Sequence, residues 1–329
     1  MQEAMNALDL SEEFFNEVAL PSLKEAFPEA WDRIGAGLVG NGSECMGFDD
    51  ELSRDHDWGI EFFVWLSDDD FAAIGQDVTA WKARLWEENA GRPFRVVSAY
   101  GAKMTVLTPG MFYRMLIGFP QGPQTVLEWR RPPESNLALC VNGRVFTDPI
   151  GEFTRTREHL MGYYPEQLRL KKIAARCMGI AQTGQYNFLR IAQRGDVVAK
   201  QVTLAKFVED VVSMVFLLNR RFTPYYKWAF RAMLDLPVLA AEVAPLLQAI
   251  YTGGSFEGEL DPGNVLLREI GEDDRRIGII VERICALIAA ELRAQGLSGS
   301  SGTFLVQHGE EVQRLVTDPD LSRLPTQYE

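Results

Sequence analysis

The chain has few histidines and cysteines, and its cysteines are not paired along the sequence. Three His and four Cys occur among 329 residues, and no two of the cysteines form a C-x-x-C motif. Structural zinc sites and redox dithiols usually place two of their sulfur ligands close together in sequence. The pattern argues against both classes of site and predicts four buried, reduced thiols.

The chain also lacks a long apolar run and a surplus of positive charge. Its longest apolar stretch, FVEDVVSMVFLLNRRF, is interrupted by Glu209 and Asp210 and is too short to cross a bilayer. The first residues show no basic segment followed by an apolar one, as a secretory signal would. We therefore expect a cytoplasmic protein without membrane contact. A formal net charge of -13 argues against bulk binding of nucleic acid, which requires surplus Lys and Arg.

Ordinary globular composition and the chain length favour two domains. Up to about residue 156, helical spacing alternates with short apolar runs, whereas every later segment shows helical spacing. The sequence thus predicts an α+β chain, with a mixed sheet and flanking helices over residues 1–156 and a helical bundle over 157–329. GLSGSSG, at 296–302, is predicted to be a flexible connector. The strand candidates are IGAGLVG, DWGIEFFVWLS, FRVVSAYG, TVLEWR and LALCVNGRVFTD.

One stretch, GNGSECMGFDDELSRDHDWG at 40–59, collects six acidic residues between two strand candidates. Asp55 and Asp57 stand at the start of the second candidate, where side chains two residues apart share a face about 6.6 Å from each other. Two carboxylates so placed can bind one Mg²⁺ or two. The Gly42-Ser43 turn offers backbone N–H groups and a hydroxyl to a phosphate.

Two other interpretations of this stretch compete with a metal and phosphate site. A calcium-binding loop needs Asp five residues before its Gly, and counting back from Gly59 puts Arg54 there. A solvated acidic loop remains open, and we expect Asp49, Asp50 and Glu51 to be such a loop. His56, between the two aspartates, is predicted to point to the opposite face.

At this point the sequence resembles a known superfamily. A Gly-Ser turn after a strand, followed by 11 residues and Asp-x-Asp, is similar to the signature of nucleotidyltransferases related to DNA polymerase beta. The resemblance implies that Gly42 and Ser43 hold a triphosphate and that Asp55 and Asp57 bind divalent metal, two Mg²⁺ ions with ATP or another NTP. GSECMGFDDELSRDHDWG and LLNRRFTPYYKWAF together resemble, over residues 35–240, a bacterial family of unknown function within that superfamily.

Sites of this kind use a third carboxylate from a later strand, as metal ligand or general base. Asp148, which ends GRVFTD, and Glu128, within TVLEWR, are the candidates. Asp148 is the preferred one, although Asp-Pro-x-Gly also predicts a type I turn.

The second half supplies candidate cations for a nucleotide. In NRRFTPYYKWAFRAM, Thr223 is predicted to cap a helix, Lys227 and Arg231 share one of its faces, and Tyr226 belongs to its buried face. Trp228 or Tyr225 would stack on a base. Surface cations paired with the many acids are the alternative interpretation.

The expected function is Mg²⁺-dependent transfer of a nucleoside monophosphate from an NTP to a hydroxyl of a small-molecule acceptor. Catalysis would rest on Asp55, Asp57 and Asp148, and phosphate contacts on Gly42, Ser43, Lys227 and Arg231. Two alternatives are AMP transfer to a protein and an inactive nucleotide-binding regulator. The sequence gives no indication of the acceptor, the preferred base or the oligomeric state.

Overall fold

The structure is a computed structural model in which residues 6–55, 58–94, 105–253 and 270–329 are described. Its contacts divide the chain into two compact units. The first unit comprises Met1–Pro123 and Pro132–Gly162, and the helical unit comprises Gln124–Arg131 and Tyr163–Glu329. The sequence predicted a single boundary near residue 156, whereas the chain passes between the units three times.

Helices form most of both units, and the described residues contain one small sheet. The first seven helices are α1 (Ala7–Phe14), α2 (Leu20–Ala26), α3 (Asp68–Glu88), α4 (Pro109–Ile117), α5 (Val126–Trp129), α6 (Glu134–Val141) and α7 (Glu152–Met161). The later ones are α8 (Glu166–Ile180), α9 (Leu189–Arg194), α10 (Val197–Leu218), α11 (Tyr226–Met233), α12 (Ala240–Thr252), α13 (Glu272–Ala294), α14 (Leu305–Arg314) and α15 (Pro319–Ser322). The predicted mixture of α and β structure is confirmed.

The sheet of the first unit has the strands β1 (Gly35–Leu38), β2 (Phe63–Trp65), β3 (Val106–Leu107) and β4 (Arg144–Thr147), in the order β3-β2-β1-β4. β1 runs antiparallel to both of its neighbours, and β2 runs parallel to β3. In this register, Gly37 lies opposite Phe63 on one side and Val145 on the other. The chain that leaves β1 therefore lies at the same end of the sheet as the chain that enters β2.

Glycine in β1 allows an aromatic core to pack closely on the strand. A Cβ atom at Gly37 would lie 2.8 Å from the Trp65 ring. That ring stacks on Phe153 of α7 with 3.6 Å between ring centroids, and both side chains are buried. Rings stacked in this way contribute about 1 kcal/mol beyond the area that they bury. The stack fixes α7 against the centre of the sheet.

In the helical unit, α8 packs against α10 on one side and α14 on another. Glycines allow these elements to approach closely. A Cβ at Gly309 of α14 would lie 2.9 Å from Cys177 of α8, and one at Gly184, in the π-helix Ala181–Phe188 after α8, would meet Phe207 of α10 at 2.6 Å. All four cysteines of the chain are buried and free, as the sequence predicted. None of the described helices is both long and apolar enough to cross a membrane.

Three predicted elements differ from the structure. In LALCVNGRVFTD, LALCV belongs to helix α6 and only RVFT is a strand. TVLEWR forms helix α5 instead of a strand, because the Thr125 hydroxyl accepts from the Glu128 N–H while the Glu128 carboxylate accepts from the Thr125 N–H. Asp55 ends a 3-10 helix, Glu51–Asp55, and does not begin a strand. Residues 95–104, most of FRVVSAYG, lie outside the described part.

The segment 296–302, predicted to be a flexible connector, makes several hydrogen bonds in the structure. The Glu311 carboxylate accepts from the Ser298 hydroxyl at 2.6 Å, the Gly299 N–H at 2.7 Å and the Ser300 N–H at 3.1 Å. His308, fully buried, contacts the same Ser298 hydroxyl through Nδ1 at 2.8 Å. These bonds order a loop whose composition alone is typical of a linker.

Candidate functional site

The Gly42-Ser43 turn lies shortly after β1, which ends at Leu38, and Asn142 fixes the chain between them. The Gly40 N–H donates to Asn142 Oδ1 at 2.8 Å, and Asn142 Nδ2 donates to the Gly40 carbonyl at the same distance. Next to it, the Gly143 N–H donates to the Cys45 carbonyl at 2.7 Å. The loop before β4 therefore holds both ends of the turn.

Arg157 of α7 in turn fixes that loop. Its guanidinium donates to four consecutive carbonyls, which close the C-terminal end of α6 and lead into β4: Cys140, Val141, Asn142 and Gly143. A cation at a helix C-terminus satisfies carbonyls that have no partner within the helix. Burial lowers the pKa of Arg157, and the guanidinium remains charged because its ordinary pKa is so high.

The donors of the turn have no acceptor among the described residues. The N–H groups of Gly42 and Ser43 and the Ser43 hydroxyl donate no hydrogen bond there, whereas the Ser43 carbonyl accepts from Met46 and Phe48. Gly42 has a φ of 132°, in a region that favours glycine. Neighbouring N–H groups left open in such a turn are suited to an anion.

A buried carboxylate lies against the same turn. Glu44 is 3% exposed, and a Cβ atom at Gly42 would overlap its carboxylate. Glu44 begins the 3-10 helix Glu44–Met46 directly after Ser43. The turn therefore combines open N–H donors with a carboxylate, a set that suits a phosphate bound together with a metal ion better than a phosphate alone.

Asp49 is not part of a solvated loop, contrary to the prediction. Its Oδ2 accepts from the Ala7 N–H at 2.8 Å and from the Trp58 indole at 3.1 Å. Its Oδ1 is buried and has no hydrogen-bond partner among the described residues. Asp49 thus joins the start of α1 to the residue that follows Asp57. Asp50, by contrast, is exposed as expected, and its Oδ1 accepts a hydrogen bond from the Ser53 N–H.

The side chains of the two aspartates predicted to bind metal lie outside the described part of the structure. His56 and Asp57 lie outside the described residues, and of Asp55 only the backbone is described. The chain that carries them leads into β2 at the Gly42-Ser43 end of the sheet. Among the described residues, no three His, Cys, Asp or Glu side chains are grouped closely enough to hold a metal ion.

Asp148 lies at the other end of β1. Its Oδ1 is 3.3 Å from the position of a Cβ on Gly35, at the start of the strand. Gly42 comes after the opposite end of the strand, beyond Leu38, and β1 itself is about 10 Å long. Asp148 Oδ2 accepts from the Thr154 N–H at 2.7 Å, and its carbonyl accepts from Gly151. These are the bonds of a turn and of a helix cap, and they argue against a shared metal.

The remaining predicted residues belong to the helical unit. Backbone N–H groups of Gln124 and Thr125 hold the pKa of Glu128 below its usual value, so this carboxylate caps α5. Lys227 and Arg231 are exposed on α11 and flank the Trp228 ring, at 5.0 and 5.9 Å from its centroid.

The helix that carries these cations starts later than predicted and exposes a residue predicted to be buried. The residue that caps α11 is Tyr225 instead of Thr223. Tyr226 is 77% exposed and lies 4.2 Å from the Tyr225 ring. Tyr226 is the first residue of α11 and does not join the core, whereas Met233, predicted on the same face, is buried.

Comparison with known proteins adds one finding. Residues 129–229 match a family model described as Domain of unknown function (DUF4037). The match spans under a third of the chain; it includes Asp148 and Lys227 but not the Gly42-Ser43 turn. No curated protein and no solved structure matches the chain. The expected similarity to a family of unknown function is confirmed over this shorter range.

Sequence reasoning missed the residues that fix the turn. Asn142-Gly143 carries a visible turn signal, but its bond to Gly40 joins positions 102 residues apart. The sequence around Arg157 did not indicate its role, because its partners are backbone carbonyls, which every residue has. Asp49 was recognised only as one of the six acidic residues of the stretch 40–59, and its hydrogen bonds were not predicted.

Proposed function

We propose that the first unit binds a nucleoside triphosphate with Mg²⁺ and transfers a nucleoside monophosphate to an acceptor hydroxyl. The observation that carries this proposal is the Gly42-Ser43 turn, whose N–H groups and hydroxyl are open and which follows β1 at the end of the sheet where β2 begins. An anion at this turn would complete hydrogen bonds that the described chain leaves unmade.

The donor set fits a hard divalent cation. Asp55 and Asp57 would hold Mg²⁺, and carboxylate oxygens are the ligands that it prefers. When bound, the metal supplies positive charge against the phosphate oxygens. Ser43 contacts phosphate through its N–H and hydroxyl, and the N–H of Gly42 provides a further donor. Asn142 and Arg157 keep the turn in place, as positioning residues.

The other predicted site residues have less structural support than the Gly42-Ser43 turn. The predicted phosphate contacts Lys227 and Arg231 lie on α11 of the helical unit, and no observation on the described residues favours that role. Asp148, as third metal ligand or general base, has the least support, because its carboxylate caps α7 from the other end of β1. The acceptor is proposed to be a small hydroxylated molecule.

This weakness of Asp148 favours one alternative, a regulator that binds a nucleotide without turnover. Such a protein keeps the phosphate turn but needs no general base. It is expected to bind an NTP and to release no pyrophosphate. Transfer of AMP to a protein remains the other alternative, without a structural observation in its favour.

Titration with a non-hydrolysable ATP analogue, with and without Mg²⁺, tests the proposal. We expect Mg²⁺-dependent binding by the native protein and at least a tenfold loss of affinity in Asp55→Asn/Asp57→Asn, since metal-bridged phosphate contacts disappear. Glu51→Gln, which removes an exposed acid from the same segment, is the matched control and should bind like the native protein. Equal binding by native protein and double variant would contradict the proposal.

Pyrophosphate release and label transfer separate the three functions. With ATP labelled at the α-phosphate and a cell extract, a labelled small product supports the proposal. A labelled protein band supports AMP transfer to a protein, and metal-dependent binding without any labelled product supports the regulator.

A further inference from the structure

The last residues of the described chain are anchored to α8 by a buried lysine. Lys171 is fully buried, and its Nζ donates to Gln313 Oε1 at 2.6 Å and to the carbonyls of Leu324, Pro325 and Thr326 at 3.3, 2.8 and 3.4 Å. An ammonium has three protons, which these acceptors satisfy. The anchor determines where the next residues, up to Glu329, can lie.

Glu329 lies among three further cations. Arg176 Nη2 donates to its Oε1 at 2.5 Å, Lys172 Nζ is 3.3 Å from its Oε2, and Arg130 Nη2 donates to its main-chain oxygen at 2.9 Å. Burial alone would raise the pKa of Glu329, but Lys172 and Arg176 outweigh it and hold that pKa below its usual value. The side chain is therefore ionised at neutral pH.

Two buried polar atoms of this pocket make no hydrogen bond to the described residues. They are the Glu329 Oε2 and the Arg130 Nε. Asp210 Oδ1 is the other carboxylate oxygen nearby, 3.5 Å from Arg176. Arg130, Lys172 and Arg176 thus place three positive charges beside two carboxylate side chains. Burying unpaired donors and uncompensated charge is costly.

A carboxylate with only a structural role looks different in this same unit. Glu311 orders the loop at 298–300 by accepting from one hydroxyl and two backbone N–H groups, all neutral. No cation is needed for that task. The cations around Glu329 instead resemble a binding site for an anion with more oxygens than a carboxylate, and Arg suits phosphate because its planar fork donates two parallel bonds.

We propose that Arg130, Lys172 and Arg176 form a binding site for a phosphate group, and that the Glu329 side chain occupies it as an internal competitor. Lys171 keeps the competitor close by holding residues 324–326. A tethered group competes at a high effective concentration, so the native protein binds a free anion weakly. The site lies within the helical unit and does not depend on the function proposed for the first unit.

Calorimetric titration with inorganic pyrophosphate, in EDTA so that no divalent metal contributes, tests the proposal. We expect Glu329→Gln to bind pyrophosphate at least tenfold more tightly than the native protein, and Glu329→Gln/Arg176→Gln to lose the gain. Glu310→Gln removes an exposed acid nearby and is the control, with affinity unchanged. Neither metal nor nucleotide is present, so failure here leaves the function of the first unit untouched.

Equal pyrophosphate affinity in Glu329→Gln, Glu310→Gln and the native protein would overturn the proposal. The proposal would also be overturned if Glu329→Gln bound acetate as tightly as pyrophosphate. Glu329→Asp covers the case in which Glu329→Gln does not fold. It keeps the charge and shortens the reach by one methylene, and an affinity above that of the native protein is expected, whereas native affinity would contradict competition by this side chain.

Discussion

Gly42 combines two constraints at a single position of the chain. Its φ of 132° is one that residues with a side chain rarely adopt. A Cβ there would also overlap the carboxylate of Glu44, which is buried. Glycine at this position is therefore required by the fold of the turn itself, whether or not a phosphate binds to it.

We expect Gly42→Ala to lower the free energy of unfolding by about 1 to 3 kcal/mol, the cost of one residue held in a disfavoured backbone region. Urea denaturation measures this change. Gly91→Ala is the control, because Gly91 has no positive φ and no atom within 4 Å of an added Cβ. The control should be neutral or slightly stabilising. Equal effects of the two substitutions would contradict the strain at Gly42.

Individual residues were predictable where the signal is local. Gly42-Ser43 reads as a turn because glycine tolerates its φ, and the structure has a turn there. The same kind of signal existed in Thr125 and Glu128, a capping box, but the alternating apolar residues around them favoured a strand. Asn142 acts across 102 residues, and nothing in its own neighbourhood could indicate that partner.

At the scale of helices, Asp210 of α10 faces α8 in a tight contact. A Cβ at Gly179 would overlap its carboxylate, so the two helices approach closely at this point. Burial raises the pKa of Asp210 to about 6, although Arg176, 3.5 Å away, acts in the opposite direction. The helix pair therefore holds a carboxylate whose charged form is unfavourable.

This raised pKa makes stability fall as the pH rises from about 4 to about 6. In that window the folded state keeps a proton on Asp210 that the unfolded state has lost, and above it the whole penalty is present. Asp210→Asn should therefore raise stability at pH 7.5 by about 1 to 3 kcal/mol, since each pKa unit corresponds to about 1.4 kcal/mol. It should change little at pH 4.

Thermal unfolding midpoints at both pH values check this expectation. Glu209→Gln is the control, because Glu209 precedes Asp210 on the same helix and is exposed. It should show no comparable gain at pH 7.5. A gain for Asp210→Asn that is the same at pH 4 and pH 7.5 would show that the carboxylate does not titrate in this range.

Helices were predicted better than strands, for a physical reason. The periodicity of segments such as DVVAKQVTLAKFVEDVVSMVFLLN persists over several turns, and α10 covers nearly all of it. The strands have two to four residues, too few for alternation to show. The start of α11 was misplaced because Thr223-Pro224 is a good cap by local chemistry, whereas the helix begins at Tyr226.

At the scale of the whole molecule, the chain does not divide where its composition changes. Residues 124–131 are surrounded in sequence by the first unit but belong to the helical unit. Trp129 is 3% exposed and packs on Tyr164 and Phe222, with ring centroids 5.8 and 6.4 Å away. Such packing depends on distant residues, so periodicity within a window could not reveal it.

Because residues 124–131 belong to the helical unit, a mutation in this segment should destabilise that unit. Trp129→Ala should lower the free energy of unfolding of the helical unit by about 3 to 5 kcal/mol, because it removes a large buried side chain and leaves a cavity. Hydrogen exchange measured by mass spectrometry should then show lost protection in α8 and α10, which open more often when the unit is destabilised. The sheet of the first unit should exchange as before.

Leu127→Ala is the matched control, since Leu127 lies on the same short helix and is 45% exposed. Its exchange pattern should remain that of the native protein, because an exposed side chain contributes little to stability. Loss of protection in α4 and α6 upon Trp129→Ala, with α8 unchanged, would assign residues 124–131 to the first unit. If protection is lost in the helical unit alone, residues 124–131 are part of the core of that unit, although residues of the first unit flank them in sequence.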